Sequence, residues 1–137
     1  MADQEIQTPT KRRVVVAEDE SLIRMDIVET LRDNFIQALG KAIPDAYING
    51  GASKRLPGIV NVTFPGTQSD TLLLLLDNAH VSASTGSACS AGVHEASHVL
   101  LAMGHNETTA QSSLRFSFGA ESTQADVDFV MSVLPDV

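Results

Sequence analysis

RLPGIVNVTFPG, at residues 55–66, is the stretch of sequence that decides the fold. Its residues 59–64 alternate between apolar and polar side chains, which predicts a strand with one buried and one polar face. The apolar face carries Val60, Val62 and Phe64, and the polar face carries Asn61 and Thr63. A Pro-Gly pair at 65–66 ends the strand. The strand therefore belongs to a sheet with a single covered side.

Strands and helices alternate on either side of this stretch. From Ser21 to Ala42 apolar residues recur every three or four positions, which predicts one long amphipathic helix. A final strand carries Leu114, Phe116 and Phe118 on one face and Arg115 on the other. We also predict strands at 14–17 and 46–48, an extended segment at 81–83, and helices at 70–77, 93–103 and 107–111, with Ser69 or Asp70 capping the first of them. A last helix, capped by Ser122 or Thr123, carries Val127, Val130, Met131 and Leu134 on one face.

This order predicts an α/β (α+β two-layer) domain, in which a small mixed sheet is packed by the long N-terminal helix and the C-terminal helix. Residues 1–13 show no apolar periodicity and are predicted to be a disordered lead-in. The remaining residues, 14–137, are predicted to form a single domain.

Composition narrows the possible partners. Nine Lys and Arg face seventeen Asp and Glu, and the formal net charge of −8 opposes the phosphate neutralisation on which nucleic-acid binding depends. The longest purely apolar run, 72–76, is far shorter than the roughly 20 residues of a membrane helix, and the N-terminus has no signal-peptide pattern. We therefore expect a cytoplasmic protein with neither a nucleic-acid nor a membrane partner.

Cys89 lies in SASTGSACSAG, residues 82–92, a loop made almost entirely of small residues. A thiol there has little bulk around it, and the helix predicted from Val93 could favour the thiolate, which is the nucleophilic form. The alternative is a small buried hydrophobic residue. Arg115 offers a guanidinium that could hold a carboxylate with two parallel hydrogen bonds, or it is an ordinary surface arginine.

The sequence HEASH, at 94–98, satisfies the H-E-x-x-H pattern of zinc hydrolases. On a helix, His94 and His98 would lie one turn apart and Glu95 would activate water. A third ligand at a known spacing is missing, and incidental surface histidines are the competing interpretation.

From about residue 34 to the C-terminus, the chain resembles the small domain of the pyridoxal-phosphate-dependent cysteine desulfurases. The motifs are RLPGIVNVTFPG, STGSACSAG at 84–92, SHVLLAMG at 97–104 and SSLRFSFG at 112–119. The resemblance implies that Cys89 accepts sulfur as a persulfide and that Arg115 and Asn61 bind the substrate. The family's cofactor lysine has no counterpart, since Lys11, Lys41 and Lys54 lie outside its motif. We therefore expect no bound cofactor and no independent catalysis.

Residues 12–32, RRVVVAEDESLIRMDIVETLR, resemble the first strand and helix of a response-regulator receiver domain of the antitermination type. The resemblance implies a magnesium-binding pair at Glu18 and Asp19, whose competing interpretation is an acidic helix start. The phospho-accepting aspartate and the later switch residues of that family do not follow.

The two resemblances meet near 33–34, inside the long helix. A junction within an element predicts a chimera, designed or naturally recombined, of receiver-like residues 14–33 and desulfurase-like residues 34–137. The alternative function is a sulfur-accepting or relay fragment of a cysteine desulfurase, serving iron-sulfur cluster assembly, that needs a pyridoxal-phosphate-binding partner domain. A receiver-type signalling module and a zinc hydrolase are further alternatives. Self-association through the surface that faces the absent large domain is also expected.

Overall fold

A computed structural model describes residues 19–51, 54–86 and 96–137, with side chains from Arg24 onward. The predicted lead-in, the predicted strand at 14–17 and Glu18 lie outside the described residues. The elements, in chain order, are α1 (Asp19–Ala42), β1 (Tyr47–Ile48), β2 (Ile59–Thr63), α2 (Ser69–Asn78), α3 (His98–Ala102), α4 (Glu107–Gln111), β3 (Ser113–Ser117) and α5 (Gln124–Val133). A 3-10 turn, Leu134–Asp136, follows α5.

The three strands form one sheet in the order β1-β2-β3, and both pairings are antiparallel. The side chains of β2 and β3 that point to one face are almost completely buried, and α1, α2 and α5 add their apolar residues to the same cluster. Phe35 of α1 lies against Phe116, with ring centroids 5.0 Å apart, and against Phe118, at 5.6 Å. The predicted fold class, the two alternating strands and the covering helices are confirmed, but the described strands form an antiparallel sheet and not the predicted mixed one.

The first helix packs as one unit on both sides of position 33. Arg32 is only 6% exposed and donates a hydrogen bond to the carbonyl oxygen of Leu56 over 3.1 Å. Its guanidinium also pairs with Glu29 at 2.9 Å and Asp33 at 2.7 Å. Burial opposes the charge of Arg32, but these hydrogen bonds outweigh it and raise its pKa above the ordinary value. Residues assigned to the receiver-like segment are thus anchored to the loop before β2.

Two local predictions need correction. The helix predicted from Val93 begins, within the described residues, at His98, because Ser97 has an extended backbone (ψ 114°) that helical geometry does not allow. The start of α2 is capped by neither Ser69 nor Asp70, since Gln68 occupies the capping position and makes no side-chain capping bond. The extended segment predicted at 81–83 carries no assigned strand, and a single bridge joins the following residue, Ser84, to Arg115.

The C-terminal helix follows its prediction. The Thr123 hydroxyl accepts from the main-chain N–H of Asp126, and the Asp126 carboxylate accepts in return from the N–H of Thr123. This reciprocal capping holds α5 on the core, where Val127 is buried, and Leu134 of the following 3-10 turn is buried as well.

Candidate substrate-binding face

The second face of the sheet brings the two predicted substrate residues together. In the register of β2 and β3, Asn61 lies directly opposite Arg115. Residues opposite each other across antiparallel strands project to the same face, so both side chains lie on the side away from the apolar core. The sequence named both residues, and the structure makes them neighbours.

Ser84 extends this row past the other edge of β3. Its N–H donates to the carbonyl oxygen of Arg115 over 3.0 Å, and the N–H of Arg115 donates to the carbonyl oxygen of Ser84 over 2.6 Å. The main-chain N–H and carbonyl of Arg115 are both bonded to Ser84, so Arg115 and Asn61 form a non-hydrogen-bonded pair. In such a pair the cross-strand side chains come closest.

The Arg115 guanidinium forms no hydrogen bond or ion pair with the part of the chain that the structure describes, and the side chain is exposed. A planar cation with five donors and no internal partner can bind a carboxylate or another planar anion.

A chain of hydrogen bonds runs beneath Asn61 on the same face. The side-chain amide of Asn49 donates to Asn61 Oδ1 over 2.6 Å and to Thr63 Oγ1 over 2.8 Å. Thr63 Oγ1 lies 2.8 Å from Ser113 Oγ, which donates to the carbonyl oxygen of Thr109 over 2.8 Å. The local sequence does not single out Asn49, because an Asn-Gly-Gly run is typical of a turn and its hydrogen-bonding partner Asn61 lies 12 residues away.

Cys89, His94 and Glu95 lie outside the described residues. Cys89 follows Ser84 by five residues, and a fully extended chain of that length spans at most about 17 Å. The thiol is therefore tethered, by sequence alone, to the residue that pairs with Arg115.

The metal-binding predictions gain no support. His98 is exposed and is the first residue of α3. Ser97 before it is not helical (φ −56°, ψ 114°), and because His94 lies outside the described residues, a shared helical face of His94 and His98 stays a prediction. No group of three or more metal-ligating side chains occurs within 19–51, 54–86 and 96–137. Asp19 is the first residue of α1, and the magnesium pair stays a prediction.

The described residues do not fit a pyridoxal phosphate site. A cleft of about 200 Å³ lies between the end of β3 and α5, where Phe116, Ser117 and Phe129 are among its lining residues. A second cleft, of about 590 Å³, lies between the turn after β1 and Met103 and His105. Neither is lined by a lysine, and the cofactor needs one for covalent attachment. Lys41 and Lys54 are exposed.

No helix in the described part of the chain is long and apolar enough to cross a membrane.

Comparison with known proteins matches residues 22–130 to the model of the aminotransferase class-V family. A cysteine desulfurase of Gluconacetobacter diazotrophicus is 44% identical over 110 residues, which cover 80% of this chain and 28% of the relative. An IscS-like cysteine desulfurase of Mycobacterium tuberculosis is 46% identical over 106 residues, covering 77% of this chain and 27% of the relative. The chain thus spans less than a third of the length of these curated relatives.

A solved structure gives the same result. The NifS-like protein from Rickettsia africae superposes with a TM-score of 0.74 at 27% identity, over 87% of this chain and 31% of that one. The desulfurase resemblance is therefore confirmed at the level of family and fold, and the family match begins at residue 22, inside the segment that resembles a receiver domain. The chain belongs to the class-V aminotransferase family.

Proposed function

We propose that this chain is a sulfur-accepting fragment of a cysteine desulfurase, with Cys89 as the acceptor and with Arg115 and Asn61 binding the substrate carboxylate. One observation carries the proposal. The main chain of Ser84 is hydrogen-bonded to Arg115, and Arg115 lies opposite Asn61. The loop that bears Cys89 therefore leaves the sheet beside the two residues proposed to bind substrate.

The proposed reaction balances with cysteine as the sulfur donor. The carbon–sulfur bond of cysteine breaks and a sulfur–sulfur bond forms on Cys89, while the thiol proton of Cys89 replaces sulfur on the carbon, leaving alanine and a persulfide. A thiolate is the attacking species. Arg115 holds the carboxylate of the amino acid and so fixes its distance from the loop.

Pyridoxal phosphate, the cofactor of the parent family, supplies the electron sink that this bond cleavage needs. Because the described residues do not fit it, the proposal assigns the cofactor to a partner domain. The chain alone is expected to release no sulfide from cysteine and pyridoxal phosphate above the background of the free cofactor.

Mass spectrometry tests the acceptor role directly. After exposure to glutathione persulfide, the chain is expected to gain about 32 Da, the mass of one sulfur atom, on Cys89. Cys89→Ala is the matched control and should gain nothing. An equal gain in that variant, or no gain in the unaltered chain, would overturn the proposal.

A second arm tests the substrate role of Arg115. Cysteine, pyridoxal phosphate and the large domain of a related cysteine desulfurase are added together, and the mass gain is expected only when all three are present. Arg115→Gln should abolish the gain from cysteine and leave the gain from glutathione persulfide unchanged, because only cysteine presents a carboxylate at this site. Equal loss in both arms would show that Arg115 does not act on the substrate.

That the chain is a chimera of receiver-like and desulfurase-like segments remains a proposal. Residues 12–32 carry the receiver-like sequence, but no observation supports a signalling role, and the packing of Arg32 on Leu56 joins that segment to the desulfurase-like part. A cytoplasmic location and self-association likewise remain predictions, and exposed apolar side chains on α3, such as Val99 and Leu101, are available for the latter.

A further inference from the structure

We infer that Asn49 is a positioning residue that turns the amide N–H groups of Asn61 towards Arg115, so that the pair presents only hydrogen-bond donors to a carboxylate. The inference rests on the proposed function and adds a residue to it.

Asn49 is held rigidly beside Asn61. Its main-chain N–H donates to the carbonyl oxygen of Asn61 over 2.9 Å, which continues the pairing of β1 with β2 by one residue. The Asn49 side chain is 8% exposed, and its amide reaches both Asn61 Oδ1 and Thr63 Oγ1. Neither side chain can rotate without breaking these contacts.

The direction of every bond in the chain follows from its last member. The carbonyl oxygen of Thr109 can only accept, so the Ser113 hydroxyl donates to it and must accept from the Thr63 hydroxyl. The Thr63 hydroxyl has one hydrogen, which it donates to Ser113, so towards Asn49 it can only accept. The amide nitrogen of Asn49, not its oxygen, therefore faces Thr63 and Asn61.

This direction decides what Asn61 shows to the substrate. Because Asn61 Oδ1 accepts from Asn49, its NH2 group is turned the other way, to the side where Arg115 lies opposite. An amide N–H beside a guanidinium gives a carboxylate a further donor. The reversed amide would place an oxygen there, which would pair with the guanidinium itself and repel the ligand.

The fixed orientation carries a cost in stability. Asn49 Oδ1 is buried and has no hydrogen-bond partner among the described residues. A buried acceptor without a partner destabilises a fold. Turning the Asn49 amide over would not remove the conflict, since its oxygen would then face Thr63 Oγ1 and Asn61 Oδ1, neither of which has a hydrogen to give.

Nuclear magnetic resonance tests the orientation independently of any ligand. In the unaltered chain, the side-chain NH2 protons of Asn61 should show nuclear Overhauser contacts to the side chain of Arg115. The side-chain NH2 protons of Asn49 should exchange slowly with water. Asn49→Ala and Thr63→Val should both weaken the contacts between Asn61 and Arg115, since each breaks the chain, and Thr63→Val does so with little change in volume. Ser117→Ala, on the same face but outside the chain, is the control. Unchanged contacts in both folded variants would overturn the inference.

Acetate titration tests the consequence, with neutral acetamide as the matched ligand. Acetate should shift the side-chain resonances of Arg115 and Asn61, and Asn49→Ala should raise its dissociation constant about tenfold, as expected for one charge-assisted hydrogen bond. In an Asn61→Ala background, Asn49→Ala should change the dissociation constant of acetate by less than about twofold, because there is then no Asn61 amide for Asn49 to orient. If the unaltered chain ignores acetate, the proposed carboxylate site fails, and the amide contacts still decide the inference about Asn49. An equal loss in both backgrounds would show that Asn49 does not act through Asn61.

Discussion

The two faces of the sheet are built from alternate residues of the same two strands, yet they differ completely in their contacts. Val60, Val62, Leu114 and Phe116 point to one face and are at most 4% exposed, against the helices α1, α2 and α5. Asn61 and Arg115, between them in sequence, point to the other face and reach solvent. Stability is concentrated on the first face and the proposed chemistry on the second.

The polar face is itself graded along the strands. At one end Thr63 and Ser113 are buried and joined through hydroxyls, whereas at the other end Ile59 and Ser117 are exposed. Asn61 and Arg115 lie at the boundary. Asn61 and Arg115 are thus supported by a rigid buried end of the face and are accessible to a ligand from its open end. Precise ligand positioning needs both.

The largest expected effect comes from substituting neighbours on opposite faces. Leu114→Ala should lower the free energy of unfolding by about 3 kcal/mol, because the side chain is fully buried and leaves a cavity. Arg115→Ala, one residue further along, should change it by less than about 0.5 kcal/mol, because its side chain is exposed and its guanidinium forms no hydrogen bond or ion pair with the described residues. Urea unfolding followed by circular dichroism measures both. Similar losses in the two variants would show that the polar face is structural.

A smaller effect is expected where the loop before β2 approaches the chain after β3. A Cβ atom on Gly58 would lie 2.3 Å from the carbonyl oxygen of Phe118 and 2.8 Å from Val28 Cγ1. Main-chain atoms cannot move aside cheaply, so Gly58→Ala should destabilise the fold by about 2 kcal/mol.

Gly40→Ala is the matched control, because a Cβ on Gly40, within α1, meets nothing within 4 Å. It should stabilise the chain by about 1 kcal/mol through helix propensity. Thermal unfolding of the two variants gives the comparison. A stable Gly58→Ala protein would mean that the loop and the end of β3 do not pack as described.

The core face was predictable from sequence because alternation and helical periodicity are local signals. Val60, Val62 and Phe64 follow one another at every second position, and Leu31, Phe35 and Leu39 at every fourth, so no knowledge of distant contacts was needed. The cap at Thr123 was predictable for the same reason, since Thr123 and its capping partner Asp126 lie within four residues of each other in sequence.

The polar face was predictable only in part. Family resemblance named Arg115 and Asn61, but their alignment depends on the register of two strands more than 50 residues apart. Asn49 was missed because its function in the fold is set by side chains that meet it only in three dimensions. The start of α3 at His98 does carry a local signal, since Ser97 occupies its N-cap and serine is common there, but the small-residue loop before it offers other starts as well.

The smallest expected effect lies at the start of α5, which covers the core face from the edge. Hydrogen bonds from the Thr123 hydroxyl and main chain lower the pKa of Asp126 below its ordinary value of 3.8. Since the folded pKa is the lower one, the stabilisation is complete above pH 3.8 and is lost as the pH falls through the folded pKa. The difference in melting temperature between the unaltered chain and Asp126→Asn should therefore be present at about pH 6 and shrink in acid, whereas Thr123→Ala should cost about 1 kcal/mol near neutral pH. A difference that stays constant down to strong acid would mean that the carboxylate charge contributes nothing to this cap, and that the Thr123 hydroxyl and the packing of Val127 hold α5 on the core.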